Sequence, residues 1–377
     1  MAHAPVPLFD LARVLAPHRE ALHAAFDRCL THGTFVLGPE VAAFERQLAA
    51  YTGTSHAIGV SSGTDALLAT FLALQVEAAG LQPLKPGDEI VTTPFTFIST
   101  ATSVLRAGLR PVFCDLAPGQ FHPGVREIEA AWSPRTRGVL VVHLFGEPQP
   151  LDAIATLCAD RGAVLVEDCA QAIGARAADG RHVGQAGTAG AFSFFPAKNL
   201  GALGDGGAVV TADAELAARV RAIRQHGCAT RYQHDHLGGN FRLDALQAAF
   251  LGVLLPLLDG WLGARAEHAQ VYLRAFAGLS DKLLLPAPTA GHAWNQFVVR
   301  TRDRDRLRAV LDAAGVGSAI YYPSPLHLQP ALASADPVAH LPEAERACRE
   351  VLALPTSPGL TPAERARVVE VVASACQ

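Results

Sequence analysis

Lys198 is the residue whose type and surroundings point most directly to chemistry. It lies in AFSFFPAKNLGALGDGG, residues 191–207, between aromatic residues and a string of glycines. A neutral amine can attack a carbonyl carbon, but an unperturbed lysine is almost fully protonated at neutral pH. Small and aromatic neighbours would exclude water and lower the lysine pKa, which favours a Schiff base. Lys198 is therefore a candidate nucleophile; the alternative is a lysine that reaches from a strand end into solvent.

A turn of small residues, SSGTDALL at 61–68, links a strand-like segment to a helical one. The first N–H groups of such a helix converge on one point and suit a phosphate group. An ordinary helix cap formed by Ser62 or Thr64 explains the same pattern. Ser193, five residues before Lys198, adds a hydroxyl that could also reach a phosphate.

Two acids, Glu167 and Asp168, end the apolar run of AVLVEDCAQ. Alternation along a strand sends the two side chains to opposite faces, so at least one lies in buried surroundings. A buried carboxylate needs a cationic partner or several hydrogen-bond donors. The protonated ring nitrogen of pyridoxal phosphate is such a partner, and its electron withdrawal drives carbanion chemistry. The alternative is a strand-end carboxylate that caps the next turn.

Phe95 and Phe97 follow another strand-like run, in TTPFTFIST. Either ring could stack on a flat cofactor, although packing in the core is the commoner fate of phenylalanine. The glycines of NLGALGDGG precede a strand and do not form G-x-G-x-x-G, which disfavours a dinucleotide loop. The chain also lacks H-E-x-x-H, Walker A and G-x-S-x-G motifs. A phosphate turn, a ring stacker, a strand-end acid and a lysine behind a serine together predict a pyridoxal phosphate site.

Apolar strands and helices alternate through most of the chain and would position these candidates. This pattern predicts an α/β fold with a mostly parallel central sheet covered on both faces. In such sheets ligands bind beyond the carboxyl ends of the strands, where the candidates lie. A long helical pattern begins near Leu243, and Pro256 is expected to kink or break it. We predict a large cofactor-binding domain over residues 1–255 and a smaller C-terminal α+β domain over residues 256–377.

The composition excludes several classes of protein. The chain has 377 residues, a formal net charge of −4 and a pI near 6.4, which argues against nucleic-acid binding. The N-terminus lacks the features of a signal peptide, and the apolar runs read as too short or too broken to cross a membrane. The seven cysteines show no metal-binding spacing. We therefore expect a cytoplasmic protein with reduced thiols and no metal.

The sequence resembles the DegT/DnrJ/EryC1/StrS family of pyridoxal-phosphate-dependent sugar aminotransferases over nearly its full length. The lysine block FSFFPAKNLGALGDGGAVVT carries the strongest part of the resemblance. Further blocks are LGPEVAAFE, SSGTDAL, PFTFISTA, VHLFGEP, VEDCAQAIGA, GGNFRLDALQAAFL and YYPSPLHLQP. The resemblance implies fold-type I, the aspartate-aminotransferase-like fold, and a homodimer with shared active sites.

The resemblance also implies roles for individual residues. Lys198 would form the Schiff base and move protons, Asp168 would pair with the pyridine nitrogen, and Phe97 would stack on the ring. Gln171 would lie by the ring hydroxyl. The phosphate would be held by Gly63, Thr64, Ser193 and Asn240 of the partner subunit. The last role rests on the resemblance alone, since Asn240 otherwise reads as a loop asparagine.

The implied reaction is ping-pong transamination. Family relatives that dehydrate deoxysugars have histidine in place of the lysine, so Lys198 favours amino transfer from an amino acid, with L-glutamate expected, to a nucleotide-linked keto-sugar. The RYQHDHLGGNFRLD and YYPSPLHLQP blocks resemble members that aminate a 3-keto rather than a 4-keto group. His327 and Tyr322 would then contact the sugar, unless they only shape the loop. Two alternatives are an aminotransferase acting on a non-nucleotide ketone such as a cyclitol, and a non-catalytic sensor with the same fold.

Overall fold

The computed structural model describes residues 4–77, 82–230, 232–332 and 340–376. The strands are β1 His56–Val60, β2 Glu89–Thr92, β3 Arg110–Phe113, β4 Thr136–Val142, β5 Val164–Asp168, β6 Ala189–Ser193, β7 Gly207–Thr211, β8 Cys228–Thr230, β9 Gln233–His234, β10 Phe297–Arg300 and β11 Val351–Leu354. The α-helices are α1 Leu11–Leu15, α2 Arg19–His32, α3 Pro39–Thr52, α4 Gly63–Leu74, α5 Ser99–Arg106, α6 Val125–Ala130, α7 Asp152–Asp160, α8 Ala214–Ile223, α9 Ala245–Leu254, α10 Leu258–Phe276, α11 Arg304–Ala313, α12 Pro342–Glu350 and α13 Pro362–Ala375.

A seven-stranded sheet in the order β1-β7-β6-β5-β4-β2-β3 forms the centre of the molecule. Neighbouring strands from β6 to β3 are parallel, whereas β7 is antiparallel to both of its neighbours. Six strands therefore point the same way, and β7 alone of the sheet runs against them. The predicted mostly parallel α/β architecture is confirmed, and the carboxyl ends of the six strands share one edge.

Helices cover both faces of this sheet, because apolar side chains alternate between the two faces along each strand. In β1, Ala57 packs with α3 and α9, whereas Ile58 and Val60 pack with α4 and α8 on the opposite face. The same alternation sends Phe192 and Ala191 of β6 to different clusters. Each strand therefore places alternate side chains in two different helical layers.

The C-terminal part of the chain has a core of its own. The antiparallel pair β10–β11 packs with α10, α11 and α13 around Phe297, Leu311 and Val368. Val6 near the N-terminus also belongs to this core and pairs with Val316. The predicted boundary between residues 255 and 256 stays a prediction.

Pro256 interrupts the helical pattern as predicted. It lies in a 3₁₀ turn, Leu255–Leu257, between α9 and α10. The whole stretch 245–279 is nevertheless long and apolar enough to cross a membrane by length and composition, although the sequence indicated no such run. Within the protein, α9 packs against α2 and α3, and 39% of the most apolar window is buried.

Candidate active site

A cleft of about 430 Å³ opens at the carboxyl edge of the sheet. It is lined by segments from both the sheet domain and the C-terminal part of the chain. Eight of the ten residues predicted from the sequence border it: Gly63, Thr64, Phe97, Asp168, Gln171, Ser193, Lys198 and Tyr322. The structure thus brings together residues that are up to 259 positions apart in the chain (322 − 63).

The N-terminus of α4 forms one end of the cleft. The helix begins at Gly63, so the N–H groups of Gly63 and Thr64 have no partner within the helix. Ser62 is the N-cap, and its Oγ accepts a hydrogen bond from Asp65 N at 3.0 Å. A Cβ on Gly63 would lie 2.6 Å from Ser193 Cβ, so only glycine allows this approach. The Ser62 cap therefore does not exclude phosphate binding, since the N–H groups of Gly63 and Thr64 stay free beside the Ser193 hydroxyl and fit a phosphate.

Asp168 projects into the middle of the cleft from the end of β5. Its Oδ2 accepts from Thr100 Oγ1 at 2.9 Å and its Oδ1 accepts from Ala170 N at 3.1 Å. Burial raises the pKa of the Asp168 carboxyl, against the opposing effects of these two donors and of Lys198. The two hydrogen bonds and Lys198 do not offset the effect of burial on this carboxyl. Asp168 is therefore suited to pairing with a cation that enters the site.

Glu167 faces the other side of the sheet, as alternation predicts. It is fully buried and accepts hydrogen bonds from Gly184 N at 2.7 Å, Gly187 N at 2.6 Å and His143 Nε2 at 2.9 Å. His143 Nδ1 accepts from Gln149 N, which leaves the proton of a neutral ring on Nε2. Burial opposes ionisation of Glu167, but these donors outweigh it and lower the carboxyl pKa. The two adjacent acids thus have different surroundings: Glu167 binds backbone N–H groups of the loop after β5, and Asp168 lies in the cleft.

The Glu167→Gln variant should unfold more easily. Glutamine replaces one accepting oxygen by an N–H donor that opposes a backbone N–H, at a cost of about 2–4 kcal/mol. Urea unfolding at neutral pH measures the loss. The folded pKa is lowered, so wild-type stability from this group is present above the ordinary value of 4.5 and is lost as the pH falls below it. The stability difference between the two proteins should therefore shrink in acid, and a difference independent of pH would contradict the assignment.

Lys198 enters the cleft from a closed loop after β6. Lys198 N donates to Phe195 O at 2.8 Å, and Ala202 N donates to Phe194 O at 2.7 Å. Gly201 packs so closely that a Cβ would lie 2.4 Å from Pro196 O. Burial lowers the pKa of the Lys198 ammonium to about 8, although Asp168 acts in the opposite direction. Lys198 is thus part-buried at the cleft, as a candidate nucleophile requires, and is not directed into bulk solvent.

The reactivity of Lys198 should depend on pH with a midpoint near 8. The amine is protonated below this pH and neutral above it, so the acylation rate should rise about tenfold per pH unit up to the midpoint and then level off. Brief labelling of the cofactor-free protein with acetic anhydride, followed by peptide mass spectrometry, gives the rate. Lys85 and Lys282, the other two lysines of the chain, serve as internal references. A midpoint near 10.4 would show that the amine is solvated.

Aromatic and amide side chains form the remaining walls. Phe97 is 56% exposed in the cleft, and its ring centre lies 6.3 Å from that of Tyr322. Phe95, the other candidate, packs in the core against Phe121 and Phe145. Gln171 Oε1 accepts from Phe145 N at 2.7 Å, and its Nε2 donates to Tyr322 Oη at 3.3 Å. Of the two phenylalanines, only Phe97 is available to a ligand.

Two predicted residues lie outside the described lining. The His327 side chain is fully buried, with Nε2 3.5 Å from Glu345 Oε1, and does not border the cleft. Asn240 is exposed and pairs with Gln225, away from the cleft of its own chain. A role for Asn240 consequently requires a second subunit. Both roles stay predictions.

Sequence reasoning missed several residues of the site. Thr100 and Ser99, at the start of α5, contact Asp168 and Thr64 respectively. Asn295, Gln296 and Tyr321 also line the cleft. A signal existed for the first pair, because both follow Phe97 within the quoted TTPFTFIST stretch. The other three precede or follow β10 far along the chain, and no local motif marks them.

Comparison with known proteins links this geometry to one family. The family model described as "DegT/DnrJ/EryC1/StrS aminotransferase family" matches residues 18–373. The chain is 43% identical to the dTDP-3-amino-3,4,6-trideoxy-alpha-D-glucose transaminase of Streptomyces venezuelae, over 97% of this chain and 95% of that one. It is 41% identical to the UDP-N-acetyl-3-dehydro-alpha-D-glucosamine 3-aminotransferase of Acidithiobacillus ferrooxidans, over 97% of each chain. A "Pleiotropic regulatory protein" of Geobacillus stearothermophilus is 42% identical over 98% of each chain.

Solved structures agree with the sequence matches. The S. venezuelae DesV structure, described as a complex with a ketimine intermediate, superposes with a TM-score of 0.94 at 41% identity and covers 100% of this chain and 99% of its own. The Bacillus subtilis NtdA structure with bound cofactor PMP superposes with a TM-score of 0.91 at 28% identity, over 100% of this chain and 86% of that one.

Proposed function

The chain belongs to the DegT/DnrJ/EryC1/StrS aminotransferase family, and from this premise we propose that it transfers an amino group from L-glutamate to a nucleotide-linked 3-keto sugar. That it is a pyridoxal-phosphate-dependent sugar aminotransferase follows from the family and from its similarity to named transaminases. The observation that carries the proposal is the cleft in which Lys198, Asp168 and the α4 N-terminus converge.

The residues of the cleft fit pyridoxal phosphate. The α4 N-terminus and Ser193 provide donors for a phosphate, and Asp168 is a buried carboxylate with room for a cationic partner. When bound, the cofactor withdraws electrons from the carbon that carries the amino group and so stabilises negative charge there. We assign the phosphate to Gly63, Thr64 and Ser193, the ring nitrogen to Asp168, the ring face to Phe97 and the covalent link to Lys198.

Each residue then has a defined task. Asp168 is held by Thr100 and Ala170, so its free lone pairs stay directed into the cleft. Lys198, with a pKa of about 8, can hold or release a proton near neutral pH and so move protons at the reacting carbon. Gln171 fixes the Tyr322 hydroxyl beside the ring site. Burial raises the Tyr322 pKa, so this hydroxyl remains a neutral donor.

The preference for a 3-keto group is supported by the printed names of two relatives. One is named for a 3-amino sugar product and the other for a 3-dehydro sugar substrate, and both are above 40% identical to this chain. Both names also carry a nucleoside diphosphate, which favours a nucleotide-linked acceptor over a free cyclitol. The complete set of Lys198, Asp168 and Ser193 favours catalysis over a sensor role, although two relatives bear regulatory or sensory names.

An assay in the reverse direction tests the acceptor without an unstable keto-sugar. The holoenzyme is supplied with 2-oxoglutarate and either a dTDP- or UDP-linked 3-amino sugar, the matching 4-amino sugar, or a free aminocyclitol. Formation of glutamate should be fastest, by kcat/KM, with a 3-amino nucleotide sugar. A higher kcat/KM for the 4-amino sugar would overturn the regiochemistry, one for the aminocyclitol would favour the cyclitol alternative, and no turnover with any would favour the sensor.

We also propose that the enzyme works in the cytoplasm as a homodimer. The seven free cysteines suit a reducing compartment. Exposed apolar side chains surround α9: Ala245 N bonds Phe35 O, and Gly204 of the lysine loop lies against Gln247. The exposed residues of this surface are Phe26, Leu30, Phe35, Val36, Phe195 and Leu203. Such a patch next to the cleft is typical of a subunit interface, and a second copy would bring Asn240 of the partner subunit to the phosphate.

Mixed dimers should reveal whether Asn240 acts across the interface. Lys198→Ala and Asn240→Ala chains are each expected to have low activity as homodimers. In a heterodimer one of the two sites regains both wild-type residues, so an equimolar mixture should recover about one quarter of wild-type turnover, since half of the dimers are mixed. Tandem-affinity purification of the heterodimer before the assay raises the expected recovery to about one half. No recovery would show that Asn240 does not serve the partner's site.

A further inference from the structure

Arg265 is a buried cation without an anionic partner. It lies on α10 and is 3% exposed. Its Nη1 donates to three carbonyl oxygens, those of Trp294 at 3.3 Å, Asn295 at 3.2 Å and Thr356 at 3.4 Å. Its Nε is buried without a hydrogen-bond partner. No carboxylate within the described parts of the chain forms an ion pair with it.

An uncompensated buried guanidinium is unfavourable, so its retention calls for an explanation. Burial lowers the Arg265 pKa to about 10, which still leaves the group charged at neutral pH. His268 is close enough for Arg265 to influence its titration, but a histidine supplies no negative charge. The Phe9 ring, 6.0 Å from the guanidinium carbon, offers only its face. Three carbonyl dipoles leave part of the charge unmatched.

Arg265 borders two small cavities that share wall residues with the cleft. One, of about 50 Å³, lies between Arg265 and Thr356 and shares four wall residues with the cleft: Ala197, Asn295, Gln296 and Tyr321. The other, of about 10 Å³, is bordered by both Arg265 and Lys198. The larger one exceeds the volume that a single water needs. The guanidinium therefore stands directly behind the wall of the cleft beside Lys198.

We propose that Arg265 binds the α-carboxylate of the amino-acid donor. The donor half of the reaction brings a carboxylate into a cleft whose described lining contains one cation, Lys198, and that amine is taken up by the cofactor. Arg265 supplies the missing positive charge on the same side of the cleft. A keto-sugar that carries no carboxylate could not occupy the site in this way, so the site favours the donor over such an acceptor. This inference rests on the amino-acid donor of the proposed function, but not on the choice of sugar.

Asn295 and Gln296 border both the cleft and the small cavity. Their side-chain oxygens are buried without a hydrogen-bond donor, and a carboxylate cannot supply one, so the contact that we propose is to the guanidinium alone. Arg265 binds the backbone carbonyl of Asn295 and so fixes this wall. The carboxylate of an amino acid that reaches Arg265 would accept hydrogen bonds from the guanidinium N–H groups that do not face the three carbonyls. A charge-assisted contact of this kind is stronger than a neutral hydrogen bond.

A comparison of two donors in two variants tests the proposal. Stopped-flow absorbance of the holoenzyme gives the second-order rate constant of the donor half-reaction with L-glutamate and with L-isoglutamine, whose α-carboxylate is an amide. The wild type should prefer L-glutamate by about ten- to a hundredfold. Arg265→Gln should reduce this ratio to about one, and Arg265→Lys should restore part of it, because lysine keeps the charge but loses the forked geometry.

Controls separate binding from a structural role. Arg300→Gln removes another buried arginine of the C-terminal part, one that is paired with Glu350, and should leave the donor ratio unchanged. A purely structural Arg265 would slow both donors equally and keep the ratio, which overturns the proposal. If Arg265→Gln does not fold, the ratio in Arg265→Lys decides, and isothermal titration of wild-type holoenzyme with glutarate must show binding. If only the reverse assay with amino sugars fails, the acceptor assignment is overturned, and the donor ratio can still be interpreted.

Discussion

Replacement of Lys198 by alanine should reduce transamination turnover at least about a thousandfold. Positioned acid–base groups contribute about 10²–10⁴-fold, and Lys198 also holds the cofactor covalently under the proposed assignment. The loop that carries it is closed by backbone hydrogen bonds to Phe194 and Phe195, so removal of the side chain should leave the fold intact. Glutamate-dependent amination of the nucleotide sugar, followed by mass spectrometry, measures the loss.

Chemical trapping of the cofactor tests the role of Lys198 without any need to know the substrate. Sodium borohydride should fix the cofactor to residue 198 of the wild type, and the chain has only two other lysines, Lys85 and Lys282. Peptide mass spectrometry should find no such label in Lys198→Ala. Lys198→Arg is the matched control: it keeps the positive charge but stays protonated, and should be as inactive as the alanine variant. A label on Lys85 or Lys282 in the wild type would show that another amine holds the cofactor.

The sequence predicted the architecture because local physics determines it. Apolar β-branched strands can be buried on both faces only between two layers of helices, and the turns after them therefore gather at one edge. Lys198, Asp168 and the 61–68 turn were found because each interrupts an apolar pattern with a polar group at a strand end. The sequence predicted a mostly parallel sheet but not that β7 runs against the other strands, since the direction of β7 depends on the length and path of the loop that precedes it.

The undetected residues share a physical cause. Thr100 acts through Asp168, and Asn295 reaches the cleft from a segment 97 positions beyond Lys198 (295 − 198). None of these contacts is encoded in a local pattern, because they arise only when distant segments pack. Glu167 was recognised as an acid that needs donors, but its donors come from other segments: the backbone N–H groups of Gly184 and Gly187 and the Nε2 of His143.

Asp168→Asn should separate the stability of the protein from its activity. The amide has nearly the same size and keeps an oxygen for Ala170 N, while Thr100 Oγ1 can accept from its NH₂ in place of donating. Burial already raises the pKa of the carboxyl, so the uncharged amide should leave the melting temperature of the cofactor-free protein unchanged or higher. This result is expected of a residue whose charge contributes to ligand binding and not to the stability of the fold.

The same substitution should nevertheless lower turnover at least about a hundredfold, because removal of one partner from a buried charge pair costs about 3–5 kcal/mol. Asp168 also raises the Lys198 pKa, so the acylation midpoint of Lys198 should move below 8 in the variant. Thr100→Val is the matched control: it removes one donor to Asp168 but keeps the charge, and should lose much less activity. Wild-type turnover in Asp168→Asn would remove the carboxylate from the mechanism, whereas a lower melting temperature with full activity would make it structural. An electrostatic role of Asp168 at the cofactor predicts three results together: a stable protein, a lower Lys198 pKa and little turnover.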